Sequence, residues 1–265
     1  MNVKLVVAAH KQCPLPTDEL YLPVHVGAAL SAEQLPYTRD DTGDNISVLN
    51  PVFCELTGLY WAWKNLDADY IGLVHYRRFF ASGVKEKNPL KCCLTVAELE
   101  PLLAQYKLIL PHKRHYYIET IYSHYAHTFD GSQLDKARDI LAEKFPAYLP
   151  DFDAYMRKRN GYVFNMMVLP RELLNDYCSW LFAILFELAE RVDTTQMTAF
   201  EKRYAGRVSE RLFNVWLSHK LRLGEIRKSD IKELSCVYTG KVNWSKKITG
   251  FLKARFLHKK YDASF

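Results

Sequence analysis

His75-Tyr76-Arg77-Arg78 sets three basic side chains within four residues, directly after the apolar run Tyr70–Val74. A guanidinium presents a planar fork of donors that matches phosphate oxygens and stays charged at any working pH, so Arg77 and Arg78 point to the stabilisation of an anion, with His75 assisting. Adjacent strand residues project to opposite faces, so only one of the two arginines can serve a single site if the strand continues. An ion pair with Glu55 or Asp69 is the structural alternative. A second polar knot gathers Asp40, Asp41, Asp44 and Asn45 around Gly43. Its carboxylates can hold a ribose, a sugar hydroxyl or a metal, its turn amides an anion, and the same residues also make a good plain turn. His10-Lys11 follows the first apolar run and suits a base and phosphates, or simply the surface. His124, His127 and Asp130 are spaced three apart, as are His112 and His115, so each set can share a helical face. That spacing is loose for zinc, and His124 and His127 are expected in contact with a second substrate or in the core. Asn165, inside an apolar stretch, needs a buried partner, either a sugar hydroxyl or a group of the protein.

These residues need elements to position them. Val3–Ala9 (VKLVVAA) and Tyr70–Val74 (YIGLV) have the continuous apolar, β-branched character of strands buried on both faces. Lys107–Leu110 and Tyr162–Leu169, each stopped by proline, predict two more strands, although the second is long enough to be a helix. Asn50-Pro51 predicts a helix start, with Asn50 as cap and Pro51 at the tolerated first position, and Leu56, Leu59, Tyr60 and Trp63 extend an amphipathic helix over 52–64. Helices are also expected over 118–127, over 134–144 and from Pro170 to about Asp193. A last one is expected from about Ser209, with Ser209 as cap and Glu210 in the first turn. Strands alternating with helices predict an α/β domain with a mostly parallel central sheet, and sites in such sheets sit at the carboxyl ends of the strands.

Composition narrows the class. The chain has 265 residues, 49% hydrophobic, enough for one large domain. Its net charge of +6 is concentrated at the end: residues 241–265 hold seven Lys and Arg against Asp262, so the rest is balanced. That argues against a nucleic-acid binder, which spreads a basic stripe over a folded face. The domain is therefore expected over 1–240, followed by a basic helical tail whose Trp244, Ile248, Phe251, Leu252 and Phe256 fall on one side and suit an anionic membrane surface. Six cysteines without a CxxC pair suit neither zinc nor a disulfide scaffold and predict free thiols in a reducing cytoplasm. Val3–Ala9 is too short for a signal-peptide core, and no run is long enough to span a bilayer.

The segments Asp40–Ser47 (DDTGDNIS), Cys54–Asn65 (CELTGLYWAWKN) and Ile71–Phe80 (IGLVHYRRFF), in this order, resemble a bacterial family of capsular and exopolysaccharide glycosyltransferases long filed as a domain of unknown function. The resemblance extends over most of residues 1–220. It implies a GT-A-like single domain, a nucleotide-sugar donor such as UDP-galactofuranose or UDP-galactose, and a lipid-linked oligosaccharide acceptor at the inner face of the cytoplasmic membrane. Many GT-A enzymes hold a divalent metal with an Asp-x-Asp motif, whereas the equivalent strand here delivers the Arg pair. No metal is therefore expected to be required, with Mn²⁺ or Mg²⁺ not excluded, and His10, Lys11, Asp40, Asp41, Asn45, His75, Arg77 and Arg78 are expected on the donor. The acceptor is expected on His124, His127 and Asn165. Inverting GT-A enzymes often present their base from a helix start, which points to Glu210, with Asp44 the second candidate. A non-catalytic carbohydrate or nucleotide binder is the alternative. An enzyme acting on phosphate esters would need a nucleophile or metal set that the sequence does not offer.

Overall fold

The computed structural model describes residues 1–240; the basic tail expected over 241–265 lies outside the described residues. The strands are β1 (Val3–Ala9), β2 (Tyr21–His25), β3 (Thr38–Arg39), β4 (Tyr70–His75), β5 (Arg78–Phe80), β6 (Leu108–Pro111), β7 (Arg114–His115), β8 (Asn160–Gly161), β9 (Met167–Pro170), β10 (Ile231–Leu234) and β11 (Cys236–Tyr238). The helices are α1 (Asn50–Phe53), α2 (Leu56–Asn65), α3 (Val96–Leu103), α4 (Ile121–Thr128), α5 (Ser132–Lys144), α6 (Leu149–Met156), α7 (Arg171–Arg191) and α8 (Tyr204–Leu223).

The main sheet runs β10-β6-β9-β4-β1-β2-β3, parallel throughout except for β9, which is antiparallel to both β4 and β6. Side chains alternate across β1. Val6 and Ala8 join the larger core under α2 and α4 to α8, while Leu5 and Val7 join a smaller core with Phe79, Phe80, Leu99 and Leu103. Burial on both faces is why β1 reads as an unbroken apolar run. Gly72 in β4 permits a close approach of backbone to backbone: a Cβ there would lie 2.7 Å from the Met167 carbonyl oxygen on β9. Among the described residues no helix is long and apolar enough to cross a membrane, and the six cysteines are free thiols.

Three sequence expectations are corrected. The helix over 52–64 is two helices, because Cys54 adopts φ 53 and ψ −130 between α1 and α2. The Asn50 amide, instead of capping the start, donates to the Cys54 carbonyl (2.8 Å) and to Thr57 Oγ1 (3.1 Å), stabilising the break. The strand over 162–169 is interrupted as well. Phe164 (φ 77) and Asn165 (φ 52) are left-handed, and only Met167–Pro170 joins the sheet. The last helix begins at Tyr204, a full turn before Ser209, because Gly206 packs within it against Cys54 rather than breaking it. Glu210 thus lies inside α8 and not at its start. A smaller shift occurs at α4, where Thr120 and Ser123 close a capping box that leaves Ile118 outside the helix.

Candidate functional site

The carboxyl ends of β1, β2 and β4 open into one cleft of about 720 Å³. β1 ends in Ala8 and, just beyond it, His10. β4 ends at His75, and a two-residue turn of Tyr76 and Arg77 returns the chain into β5, with His75 facing Arg78 across the hairpin. The opposite wall is the α1–α2 break, with Asn50, Cys54 and Glu55, and the chain entering α8, with Lys202 and Arg203. The cleft forms where the parallel strands stop and no neighbouring strand covers their ends, the usual location in open α/β sheets.

Its charge is one-sided. Arg77, Lys202 and Arg203 line it, and Glu55 is the one carboxylate among the lining residues. Arg77 is exposed and rests its guanidinium 5.1 Å from the Tyr76 ring, which also carries Lys11 at 5.7 Å and His10 edge-on at 5.1 Å. Partial burial and the neighbouring cations Lys11, Arg203 and Arg77 lower the pKa of His10, so at neutral pH it is an uncharged donor or acceptor. Arg203 Nε donates to Cys54 Sγ at 3.2 Å. Burial pushes the Cys54 thiol up to about 11, which keeps it protonated and unsuited to nucleophilic attack.

Glu55 is held from behind. Asn165 Nδ2 donates to Glu55 Oε1 (2.8 Å) and to the Gly206 carbonyl (3.0 Å), and Ser209 Oγ donates to Asn165 Oδ1 (3.0 Å). The left-handed backbone at Asn165 aims that amide between α2 and α8. His75 Nε2 lies 4.0 Å from Glu55 Oε1 and 2.6 Å from the Phe164 carbonyl. Because that carbonyl only accepts, the Nε2 proton is committed to it. Burial, only partly opposed by Glu55, lowers the pKa of His75.

The other expected residues lie elsewhere or serve the scaffold. Arg78 turns away from the cleft lining, its guanidinium 3.4 Å from the Phe164 ring and 5.3 Å from that of Tyr238. Neither arginine pairs with Glu55 or Asp69; Asp69 accepts instead from the Asn2 amide. Asp40 is fully buried, accepting from the Gly27 and Ala28 amides at 2.8 and 3.0 Å and from Ser47 Oγ at 2.5 Å. It fixes a turn that Gly27, at φ 73, makes possible. Asp41 binds Arg39, which lowers its pKa. Asp44 is exposed over α2, bonded to Tyr60 Oη, and Asn45 closes its own turn on Gly43 and Ser47. The loop therefore behaves as the plain turn. His124 and His127 both bond Glu119, at 2.8 and 2.6 Å, with Glu119 and His124 buried. Glu210 accepts from the Phe164 amide (3.1 Å) and from Arg211 (2.8 Å), near enough to act on His75 and Arg78 electrostatically but outside the cleft lining. Sequence reasoning missed Glu55, Lys202 and Arg203 as cleft residues. The one signal for Glu55 was its place in the segment CELTGLYWAWKN. Among the described residues no group of three His, Cys, Asp or Glu is arranged to hold a metal ion.

Comparisons with known proteins agree with this architecture. The apo structure of WbbM, a bifunctional glycosyltransferase, superposes with a TM-score of 0.84 at 29% identity, covering 91% of this chain and 46% of that one. The chain thus spans about half the length of that protein, and its mostly parallel sheet flanked by helices is a GT-A-like fold. No curated protein gives a significant match. The family model described as a domain of unknown function, DUF4422, matches residues 4–221, and the chain belongs to that family.

Proposed function

We propose that this chain is a glycosyltransferase that moves a sugar, galactose or galactofuranose, from a UDP donor to a lipid-linked oligosaccharide in surface polysaccharide synthesis. The observation that carries the reading is the cleft at the ends of β1, β2 and β4, where three cations face a single carboxylate. The WbbM likeness supports transferase chemistry in this half of that longer protein. Arg77, with Lys202 and Arg203, compensates the charge that the diphosphate gains as its bond to the anomeric carbon breaks. In this reading that role needs no metal, since Arg77, Lys202 and Arg203 supply the positive charge in the cleft. His10 and Lys11 flank the nucleotide on the Tyr76 side.

Glu55 is the base of this proposal. Its carboxylate takes the proton of the acceptor hydroxyl as that oxygen bonds to the anomeric carbon, and the electron pair of the breaking bond leaves on the diphosphate with inversion. Asn165 positions Glu55 through Oε1, and His75, held on the Phe164 carbonyl, closes the wall beside it. Glu210 is the rival carboxylate.

Thermal shift with UDP and UDP-sugars, followed by transfer assays on Glu55→Gln and Glu210→Gln, tests the reading. Glu55→Gln is expected to keep the UDP-induced shift and lose at least about a hundredfold in transfer, while Glu210→Gln retains most activity. The reverse pattern moves the base to Glu210. Absence of any shift with uridine nucleotides overturns the donor class, and donor left intact in every assay favours a non-catalytic binder. Loss of transfer with a chelator, restored by Mn²⁺ or Mg²⁺, ends the metal-independent part. Peripheral attachment through the basic residues 241–265, with 1–240 as the catalytic domain, completes the proposal and rests on their composition.

A further inference from the structure

Beyond β6 the chain forms the short ribbon β7–β8, whose strands pair in antiparallel register, Arg114 with Gly161 and His115 with Asn160. After β7 the backbone turns through Tyr117 at φ 54, with the Ile118 amide donating to the Tyr116 carbonyl at 2.6 Å. This is a γ-turn at a non-glycine residue, a strained local conformation. It presents Tyr117 and Ile118 side by side at 80% and 66% exposure, the two most exposed large hydrophobic side chains among the described residues. Among the described residues the Tyr117 ring meets that of His115, at 6.0 Å between centroids, and both members of the pair remain largely exposed.

The charge around the pair is of one sign. Residues 112–118 and 157–161 contain no Asp or Glu, and Lys113, Arg114, Lys158 and Arg159 are all exposed. Glu119, the next acid along, is buried under His124 and His127. Glu233 pairs with His112 (3.3 Å) and Lys113 (3.9 Å), at the start of the segment, and accepts from Tyr162 Oη (2.6 Å). Arg159 also donates to the Tyr117 carbonyl, bracing the turn.

Sheet topology relates this tip to the cleft. β6 and β4 are both antiparallel to β9 and hence parallel to each other. Pro111, which leads into the ribbon, therefore leaves the sheet at the same edge as His75, and Gly161 returns toward β9 from that edge.

We propose that the Tyr117–Ile118 tip, with its surrounding cations, is a docking surface for an anionic lipid bilayer, inserting the apolar pair among the acyl chains and setting the Lys and Arg at the headgroups. Exposed apolar area and cations in one patch match such an interface, where each Lys or Arg adds modestly and the apolar side chains supply the insertion. The adjacent aliphatic Ile118 separates this surface from one built for a soluble polyanion, which requires charge alone. Docking here turns the strand-end edge toward the membrane, and it stands whether or not the cleft binds a nucleotide sugar.

The test uses the full chain with phosphatidylcholine vesicles, with and without phosphatidylglycerol, and dextran sulfate as a soluble polyanion. Wild type is expected to partition to the anionic vesicles and to be released by salt. Tyr117→Ser/Ile118→Ser and Arg114→Glu/Lys158→Glu are each expected to lower that partition at least about tenfold, with thermal stability retained because all four side chains are exposed. In a Trp244→Phe background, the indole introduced by Tyr117→Trp is expected to add quenching by brominated acyl chains over that background alone, and only in anionic vesicles, which reports insertion at this position whatever residues 241–265 contribute. Unchanged partition of both double variants, or no such quenching in the Tyr117→Trp variant, overturns the proposal. Equal binding to neutral vesicles overturns the charge component. Vesicle binding that survives loss of the apolar pair, while the charge variant loses both vesicles and dextran sulfate, assigns the patch to a soluble polyanion instead.

Discussion

Arg77 and Arg78 are neighbours in sequence and opposites in use. The hairpin between β4 and β5 leaves Arg77 at the turn, in the cleft, and folds Arg78 against Phe164 and Tyr238. Arg77→Ala is expected to reduce transfer about 10²- to 10³-fold in kcat, and Arg77→Lys to recover only part, because an ammonium restores charge without the fork. Steady-state kinetics on purified variants checks it, and a loss confined to KM would place Arg77 in ground-state binding alone. His124 makes a second prediction, for stability. Burial pushes its pKa down to about 4 from 6.5, outweighing the Glu119 hydrogen bond that raises it. Between those values the unfolded chain binds the proton and the folded one does not, so stability declines as the pH falls from 6.5 toward 4, by about 3 kcal/mol in all from this group. Denaturant unfolding across that range measures the slope. His124→Asn, which keeps a donor for Glu119, is expected to flatten it by up to one proton, and an unaltered slope would exclude His124 as a source.

Among the elements, the inner strands β1, β4 and β6 were legible, while β2, β3, β10 and the breaks were not. Val3–Ala9 and Tyr70–Val74 announce themselves by local composition, because both faces of each strand are covered. The break at Cys54 carries no such mark, since positive φ is usually signalled by glycine and here falls on a cysteine stabilised by the side-chain amide of Asn50. Glu55 was consequently read as one more position of a continuous helix. Ser209 misled in the opposite direction: expected as the cap of the last helix, it lies inside α8, where Gly206 is a close helix contact. Asp40, Asp41 and Asp44 share a short segment yet face three different partners; Asp41 pairs locally with Arg39, but those of Asp40 and Asp44 are set by longer-range geometry. Asn165 links α2 to α8 from a left-handed backbone, so Asn165→Ala should destabilise by about 2–4 kcal/mol, leave Glu55 unsupported and depress transfer further than stability alone explains. Gly72→Ala should cost a similar amount with no specific effect on the cleft, since its Cβ meets the β9 backbone. Urea melts of both variants, alongside activity at a temperature where each is folded, separate the two cases.

For the whole molecule, the cleft and its walls are drawn from the start, the middle and the end of the domain: His10, Glu55, Arg77 and Arg203 meet only when the sheet and α8 are assembled. A ligand of this cleft therefore binds the folded state alone. At a hundredfold excess over Kd, UDP should raise the unfolding free energy by about 2.7 kcal/mol, on the order of 5–10 °C in Tm, and Arg77→Ala should shrink that shift. Differential scanning fluorimetry checks it. β9 carries a consequence of another kind. Antiparallel to both its neighbours, it fills the slot between β4 and β6, which are made well before it. A chain leaving the ribosome thus waits on the order of several seconds, while the segment from Pro111 to Met167 is synthesised, with two apolar strand margins and no partner for either. Until then the nascent domain offers a docking template to any other extended chain nearby, so the hazard of misassembly belongs to its birth rather than to its working life.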